Sequence, residues 1–177
     1  FVYWFGEEIL SLFDDLDTVA DVGEVMKGLN TGDDDQFLRC WWEIDSEKIG
    51  DDYRTIALSD DEDEFYESPE KVVKWDSSTQ EEIREHDMSS VRNESYYGKP
   101  GITFRKFSNY FTARIHNEGH IFGESAYYIN TGDREIDKNL VGQLCSPISR
   151  FVLKGLNPGL HYNVSDVEEV PIQDSNN

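Results

Sequence analysis

Between Trp4 and Leu16, the apolar residues Ile9, Leu12, Phe13 and Leu16 recur at helical spacing, with Glu7, Glu8, Asp14 and Asp15 opposite. This pattern predicts an amphipathic helix over 4–16. Val19–Val25 is short and β-branched, and Gly28 and Gly32 then bracket a turn. From Gln36 to Ile44 the period changes to two. Leu38, Cys40, Trp42 and Ile44 fall on one face, and Phe37, Arg39, Trp41 and Glu43 on the other. A strand is expected there, covered on both sides because each face carries a tryptophan. Tyr53–Leu58 and Glu70–Trp75 read as further strands, with Ser59–Glu64 an acidic loop between them.

Ser78-Thr79-Gln80-Glu81 fits a capping box that opens a short helix to about Glu85. Residues 86–100 are loop-like. Ile102–Phe107 and Tyr110–His116 then pair as strands across Ser108-Asn109. Asn117-Glu118-Gly119 is a turn, and apolar Ile121-Phe122 and a strand near Ala126–Asn130 follow. Asp137–Leu144 and Ile148–Leu156 are helical, interrupted by Pro147. His161–Val164 reads as a last short strand. There is no internal repeat and no regular β-α-β alternation. The expected class is α+β: a mixed, largely antiparallel twisted sheet with flanking helices.

The chain has 177 residues, enough for one domain with one core. It begins at Phe1 without Met and closes on polar Gln173–Asn177, so an excised fragment with a disordered tail over 173–177 is expected. No apolar run reaches the roughly 18 residues of a membrane span, and no membrane partner is expected. The opening residues lack the basic region of a signal peptide. Two cysteines, Cys40 and Cys145, do not make a disulfide framework, which favours a reduced cytoplasmic setting.

Charge changes this picture. The formal net charge is −21, enough to strain a compact state by self-repulsion. Molar salt screens that repulsion, because the Debye length falls to about 3 Å at 1 M. Four Trp, nine Tyr and ten Phe can build a core, so the composition suggests a folded protein from a salt-accumulating halophile. The charge is also uneven. Residues 1–90 hold 7 basic and 27 acidic residues, whereas residues 91–154 hold 9 basic and 6 acidic. A surface that meets phosphates is one reason for a segment to escape acidification.

Arg105, Lys106 and Arg114 lie on the predicted hairpin in that segment and are candidates for phosphate or base-edge contacts. Ordinary surface charges paired with carboxylates are the plain alternative. Lys99 and Arg92 precede them on a loop. Asn30, Thr31 and Asp33 lie in the glycine-bracketed loop and could hydrogen-bond DNA or simply make the turn. Arg39 reads as a structural ion-pair partner. His116 and His120 do not fit the helical His-Glu-x-x-His pattern, and Asp33-Asp34-Asp35 does not fit a calcium loop, so no metal site is expected. No nucleophile–base pair stands out, and no catalytic residue is assigned.

The stretch Lys27-Gly28-Leu29-Asn30-Thr31-Gly32-Asp33-Asp34-Asp35-Gln36-Phe37-Leu38-Arg39 resembles a signature that follows the catalytic domain in large adenine-N6 DNA methyltransferases. These include enzymes of BREX phage defence and of type IIG restriction–modification. Tyr3-Trp4, Val72–Trp75, Gly101–Phe104, Phe111–Arg114, Leu156-Asn157-Pro158, Tyr162–Val167 and Val170-Pro171-Ile172 resemble further pieces of that family, in the family's order. The resemblance implies a linker helix over 1–17 and a target-recognition domain over 18–172. Its partners would be double-stranded DNA and the methyltransferase domain of the same polypeptide. The family's (Asp/Asn/Ser)-Pro-Pro-aromatic motif and its Gly-x-Gly turn are absent. The resemblance therefore implies no cofactor in this segment and S-adenosylmethionine in the intact parent. The alternative from a different class is an acidic protein-interaction module or a DNA mimic.

Overall fold

Ala126–Asn130 and Gly101–Arg105 bury four of their five residues each. Such strands lose the in–out alternation because both faces are covered. In the computed structural model, which describes residues 5–59, 65–66 and 68–173, these two strands form the centre of an α+β fold. Tyr3-Trp4, residues 60–64 of the acidic loop and the tail from Asp174 lie outside the described residues.

The larger sheet has five strands. Its order is β2 (Glu24–Met26), β10 (Ala126–Asn130), β7 (Gly101–Arg105), β8 (Ala113–His116) and β5 (Phe65–Tyr66). All pairs are antiparallel except β5 with β8. A second sheet has the order β3 (Leu38–Cys40), β6 (Lys71–Lys74), β4 (Tyr53–Ala57) and β9 (Ile121–Phe122), the last pair parallel. A third, two-stranded pairing joins β1 (Asp17–Thr18), which runs into the short α2 (Val19–Val22), to β11 (Pro171–Ile172) and clips the two ends of the fold together.

Period two sorts the larger sheet's side chains. Ile102, Phe104, Tyr127 and Ile129 face one core, with Leu140, Val141 and Leu144 of α5 (Arg134–Leu144) and Leu153 of α6 (Pro147–Leu156). The adjacent Tyr128 points the other way and stacks on Phe122 at 4.3 Å and 9°. Beyond it, Leu29, Phe37, Leu38, Ile56, Val73 and Ile121 form another core with Ile83 of α4 (Ser77–Glu85).

The chain crosses between the sheets at Gly28. A Cβ there would overlap the carbonyl oxygen of Phe122. Leu29 N–H donates to that oxygen at 2.9 Å, and Glu124 N–H donates to Leu29 O at 2.8 Å. The junction between β9 and β10 is thereby tied to the segment leaving β2.

Helix starts are fixed by side-chain acceptors. Asp33 accepts from Gln36 N at the start of α3 (Asp34–Phe37), and Asp133 accepts from Glu135 N and Ile136 N. Ser146 caps α6, whose first residue is Pro147; the proline opens that helix rather than merely interrupting the pattern. Asp76, not the expected Ser78, caps α4, accepting from Ser78 N and Thr79 N, both at 3.1 Å. With the Ser78 and Thr79 hydroxyls also donating to it, the Asp76 carboxyl lies well below the usual carboxylate range.

Several expectations change. The amphipathic helix runs over α1 (Glu7–Asp15), yet none of its residues is fully buried. The expected strand over Gln36–Ile44 shrinks to β3. Asp33 starts a helical turn before it, and a 3₁₀ turn, Trp41–Glu43, follows it. Trp41 and Trp42 are 52% and 56% exposed instead of covered. The predicted hairpin exists, but residues 106–112 connect its strands, not Ser108-Asn109 alone. His161 makes an isolated bridge to Phe107, and Val164 opens α7 (Val164–Glu168), so no strand forms over His161–Val164. Cys40 and Cys145 are free thiols. Among the described residues, no helix is long and apolar enough to cross a membrane.

Two stability outcomes follow from this geometry. Gly28→Ala forces a backbone shift at the junction and should lower unfolding free energy by about 2–3 kcal/mol in urea titration. Asp76→Ala should cost about 1 kcal/mol at neutral pH. Because the folded carboxyl is depressed, its contribution is present above the ordinary value of about 4 and fades as pH falls below it. The wild-type and Asp76→Ala urea midpoints should therefore converge in acid.

Candidate nucleic-acid interface

Beyond Arg105 the chain turns outward and is held by the loop after α6. Ser108 N donates to Leu160 O at 3.0 Å, and Tyr162 N donates to Lys106 O at 2.9 Å. This brief pairing stacks the Phe107 ring on the His161 imidazole at 4.6 Å and 21°. Phe107 and Tyr110 remain 54% and 48% exposed. With Arg105, Ser108, Asn109 and Leu160 they line a cleft of about 300 Å³.

Cations gather around these rings. Lys106 Nζ lies 5.4 Å from the Phe107 ring centre and 5.6 Å from that of Tyr127. Lys27, the residue after β2, approaches the same Tyr127 ring at 5.7 Å. The Arg150 guanidinium sits 5.0 Å from the Tyr110 ring and donates through Nε to Phe111 O at 2.9 Å. Lys154, one turn along α6, donates to Gly159 O at 2.8 Å. Arg92 and Lys106 both approach Glu124 Oε1, at 3.8 and 3.6 Å. Six of the chain's sixteen basic residues thus lie toward one end of the larger sheet, near the exposed Phe107 and Tyr110 rings and the buried Tyr127 ring. Such a ledge offers cations to phosphates and flat faces to bases. The cations over the rings add attraction to the aromatic faces.

Only part of the candidate set expected from the sequence meets here. Arg105 and Lys106 do, with Arg92 beside them. Lys99 lies elsewhere: its Nζ is 4.5 Å from the Tyr96 ring, and Tyr96 packs on Tyr128, on the opposite face of β10 from Tyr127. Arg114 is corrected outright. It is 1% exposed and donates through Nη2 to Leu58 O at 2.9 Å. Its register partner Thr103 is opposite Tyr128, so alternation turns Arg114 into the covered face of the sheet. A side chain buried in that way does not reach DNA.

The glycine-bracketed loop is corrected in the same sense. Thr31 is 2% exposed and donates to Asp34 Oδ1 at 2.5 Å. Asn30 Oδ1 accepts from Gly32 N at 3.0 Å, and its Nδ2 donates to Met88 O at 3.2 Å. Gly32 takes φ +81°, the left-handed region where glycine is favoured. Asp33 caps α3, and Arg39 Nη1 donates to backbone carbonyls of Asp35 and Leu38. The turn reading fits this loop, because its polar side chains are engaged within the fold.

Sequence reasoning missed Lys27, Arg150, Lys154, Phe107 and Leu160, whereas Tyr110 is an aromatic residue it offers for DNA contact. The spacing of Arg150 and Lys154, one helical turn apart, was a usable signal. Nothing local ties Lys27 to Lys106, because β10 brings them together. His116, the first histidine of the discounted metal pattern, is buried against Phe122 and Tyr128. No protein-family model and no curated protein sequence matches the chain.

Burial separates the two kinds of cation experimentally. Arg114→Ala should destabilise the fold by about 2–4 kcal/mol, because buried acceptors lose their donor. Lys27→Ala should stay within about 0.5 kcal/mol of wild type. Urea midpoints measured side by side check the contrast.

Proposed function

We propose that this chain is the DNA-recognition domain of a site-specific adenine-N6 DNA methyltransferase serving restriction–modification or phage defence. The observation that carries the reading is the basic, aromatic ledge around Lys106, on a chain whose net charge is −21. The signature resemblance adds the enzyme class. In this reading the ledge holds duplex DNA in the cytoplasm. The methyltransferase domain of the same polypeptide takes the flipped adenine and S-adenosylmethionine. Arg105, Lys106, Arg92, Lys27 and Arg150 supply phosphate contacts, and Phe107 and Tyr110 supply faces against sugars or bases. Asn30, Thr31 and Arg114 act in the fold.

The rest of the surface opposes a polyanion, so affinity of the isolated domain is weak and salt-sensitive. Phosphate contacts release counterions, and this attraction falls as salt rises. The rival reading, an acidic module for a basic protein partner, draws on exposed Trp41 and Trp42 beside Glu43, Asp45 and Glu47.

Fluorescence anisotropy of a labelled duplex between about 50 and 200 mM salt separates these readings. Wild type should bind with a negative slope of log affinity on log salt. Lys27→Gln combined with Lys106→Gln should weaken binding and flatten the slope by about 2. Trp41→Ala with Trp42→Ala should leave binding unchanged. Affinity and slope that ignore the double Lys substitution would remove DNA from this ledge.

A further inference from the structure

A second cation stands apart from the ledge. Arg54 lies on β4, in register with Val73, which is in turn in register with Leu38. Leu38 and Val73 belong to the core of the second sheet, and so does Ile56, two residues along β4 on the same face. Alternation therefore places a guanidinium at the end of an otherwise apolar row. Among the described residues, no hydrogen bond, ion pair or ring contact engages it. Arg54 is partly buried, and its nitrogens are not among the sealed, unsatisfied atoms of the described residues, so the guanidinium is open to an incoming group.

The guanidinium lines a cleft of about 270 Å³. One wall is aromatic: Trp75 and Tyr97 meet at 5.7 Å and 66°, and both belong to the same lining. Gly98 and Gly119 form another side, at φ +80° and +86°. Their backbones are locked together, with Gly119 N donating to Gly98 O at 2.9 Å and Gly98 N to His120 O at 2.8 Å. Other polar groups of the lining are engaged. Gln80 Nε2 donates to Trp75 O at 2.7 Å, and the Tyr97 hydroxyl donates to Arg92 O at 2.8 Å. The guanidinium is left to recognise an incoming group, and its fork suits an oxyanion.

We propose that this cleft binds a nucleotide, with the base against the Trp75–Tyr97 wall and the phosphate on Arg54. A flat ring carrying an oxyanion matches both features, and a ring or a phosphate alone matches one. The nucleotide has two possible sources, a free mononucleotide or an unstacked residue of a nucleic-acid strand. The proposal does not depend on the reading of the Lys106 ledge.

Titrating the protein with AMP, adenosine, inorganic phosphate and a short single-stranded oligonucleotide, followed by amide NMR and calorimetry, tests it. AMP should saturate, shifting the Gly98 and Gly119 amides and the Trp75 indole while leaving Lys27 and Tyr110 unmoved. Adenosine and phosphate should each bind at least about tenfold more weakly, the worth of one charge-assisted contact or more. Arg54→Gln should lose about tenfold for AMP with an unchanged urea midpoint, and Arg54→Lys should lose less. An oligonucleotide that binds tighter than AMP at the same amides identifies a strand as the source, and equal or weaker binding identifies the free nucleotide. No saturable binding of AMP or oligonucleotide, shifts confined to the ledge, or affinity unchanged in Arg54→Gln would overturn the proposal. The wild-type shift pattern decides the matter even if the substitution disturbs folding.

Discussion

The fold turns on the missing side chain of Gly28. At the seam between the two sheets, the backbone leaving β2 lies directly on the Phe122 carbonyl, where no Cβ would fit. From that contact Leu29 enters the core beneath α4, and Asn30 pairs through its backbone with Ser90. The pairing draws in the loop that carries Arg92 and Asn93, whose Nδ2 donates to Lys27 O at 2.9 Å. Lys27 and Arg92 therefore reach the ledge, and Tyr97 reaches the Arg54 cleft, as consequences of one close backbone approach.

The sequence was most legible where local signals agreed. The apolar run at Ala126–Asn130, the paired strands around Ile102 and Ala113, and the helices on either side of Pro147 all form near their expected positions. Over 36–44 the expected strand gives way, because alternation is satisfied equally by a short strand entering a 3₁₀ turn. Asp33 captures Gln36 N and begins a helical turn first, and two adjacent tryptophans proved to be surface residues. Within the candidate site, Lys106 and Arg114 look alike in sequence. Strand parity and the cover over one face separate them, and that cover comes from distant residues. Lys27, Tyr127 and Arg150 belong to three elements that only tertiary topology joins.

The charge distribution bears on how the proposed DNA reading could work. A net −21 repels a polyanion at long range, whereas six cations on one ledge attract it at contact. Salt shortens the range of the repulsion and also weakens the gain from counterion release. Ring faces such as Phe107 and Tyr110 lose less under those conditions, since stacking does not rest on unscreened charge. A ledge that mixes cations with exposed rings therefore keeps a short-range contribution when the electrostatic one fades.

The carboxylates that start helices divide the acidic residues into two kinds. Asp33, Asp45, Asp76 and Asp133 accept backbone N–H groups, and Asp21, Glu43 and Asp166 close reciprocal pairs with Thr18, Cys40 and Asn163. Asp51 and Glu81, by contrast, face solvent. A redesign that lowers the net charge for work in dilute buffer could neutralise the second kind broadly. It would have to leave the first seven in place, because they are punctuation in the backbone before they are charge.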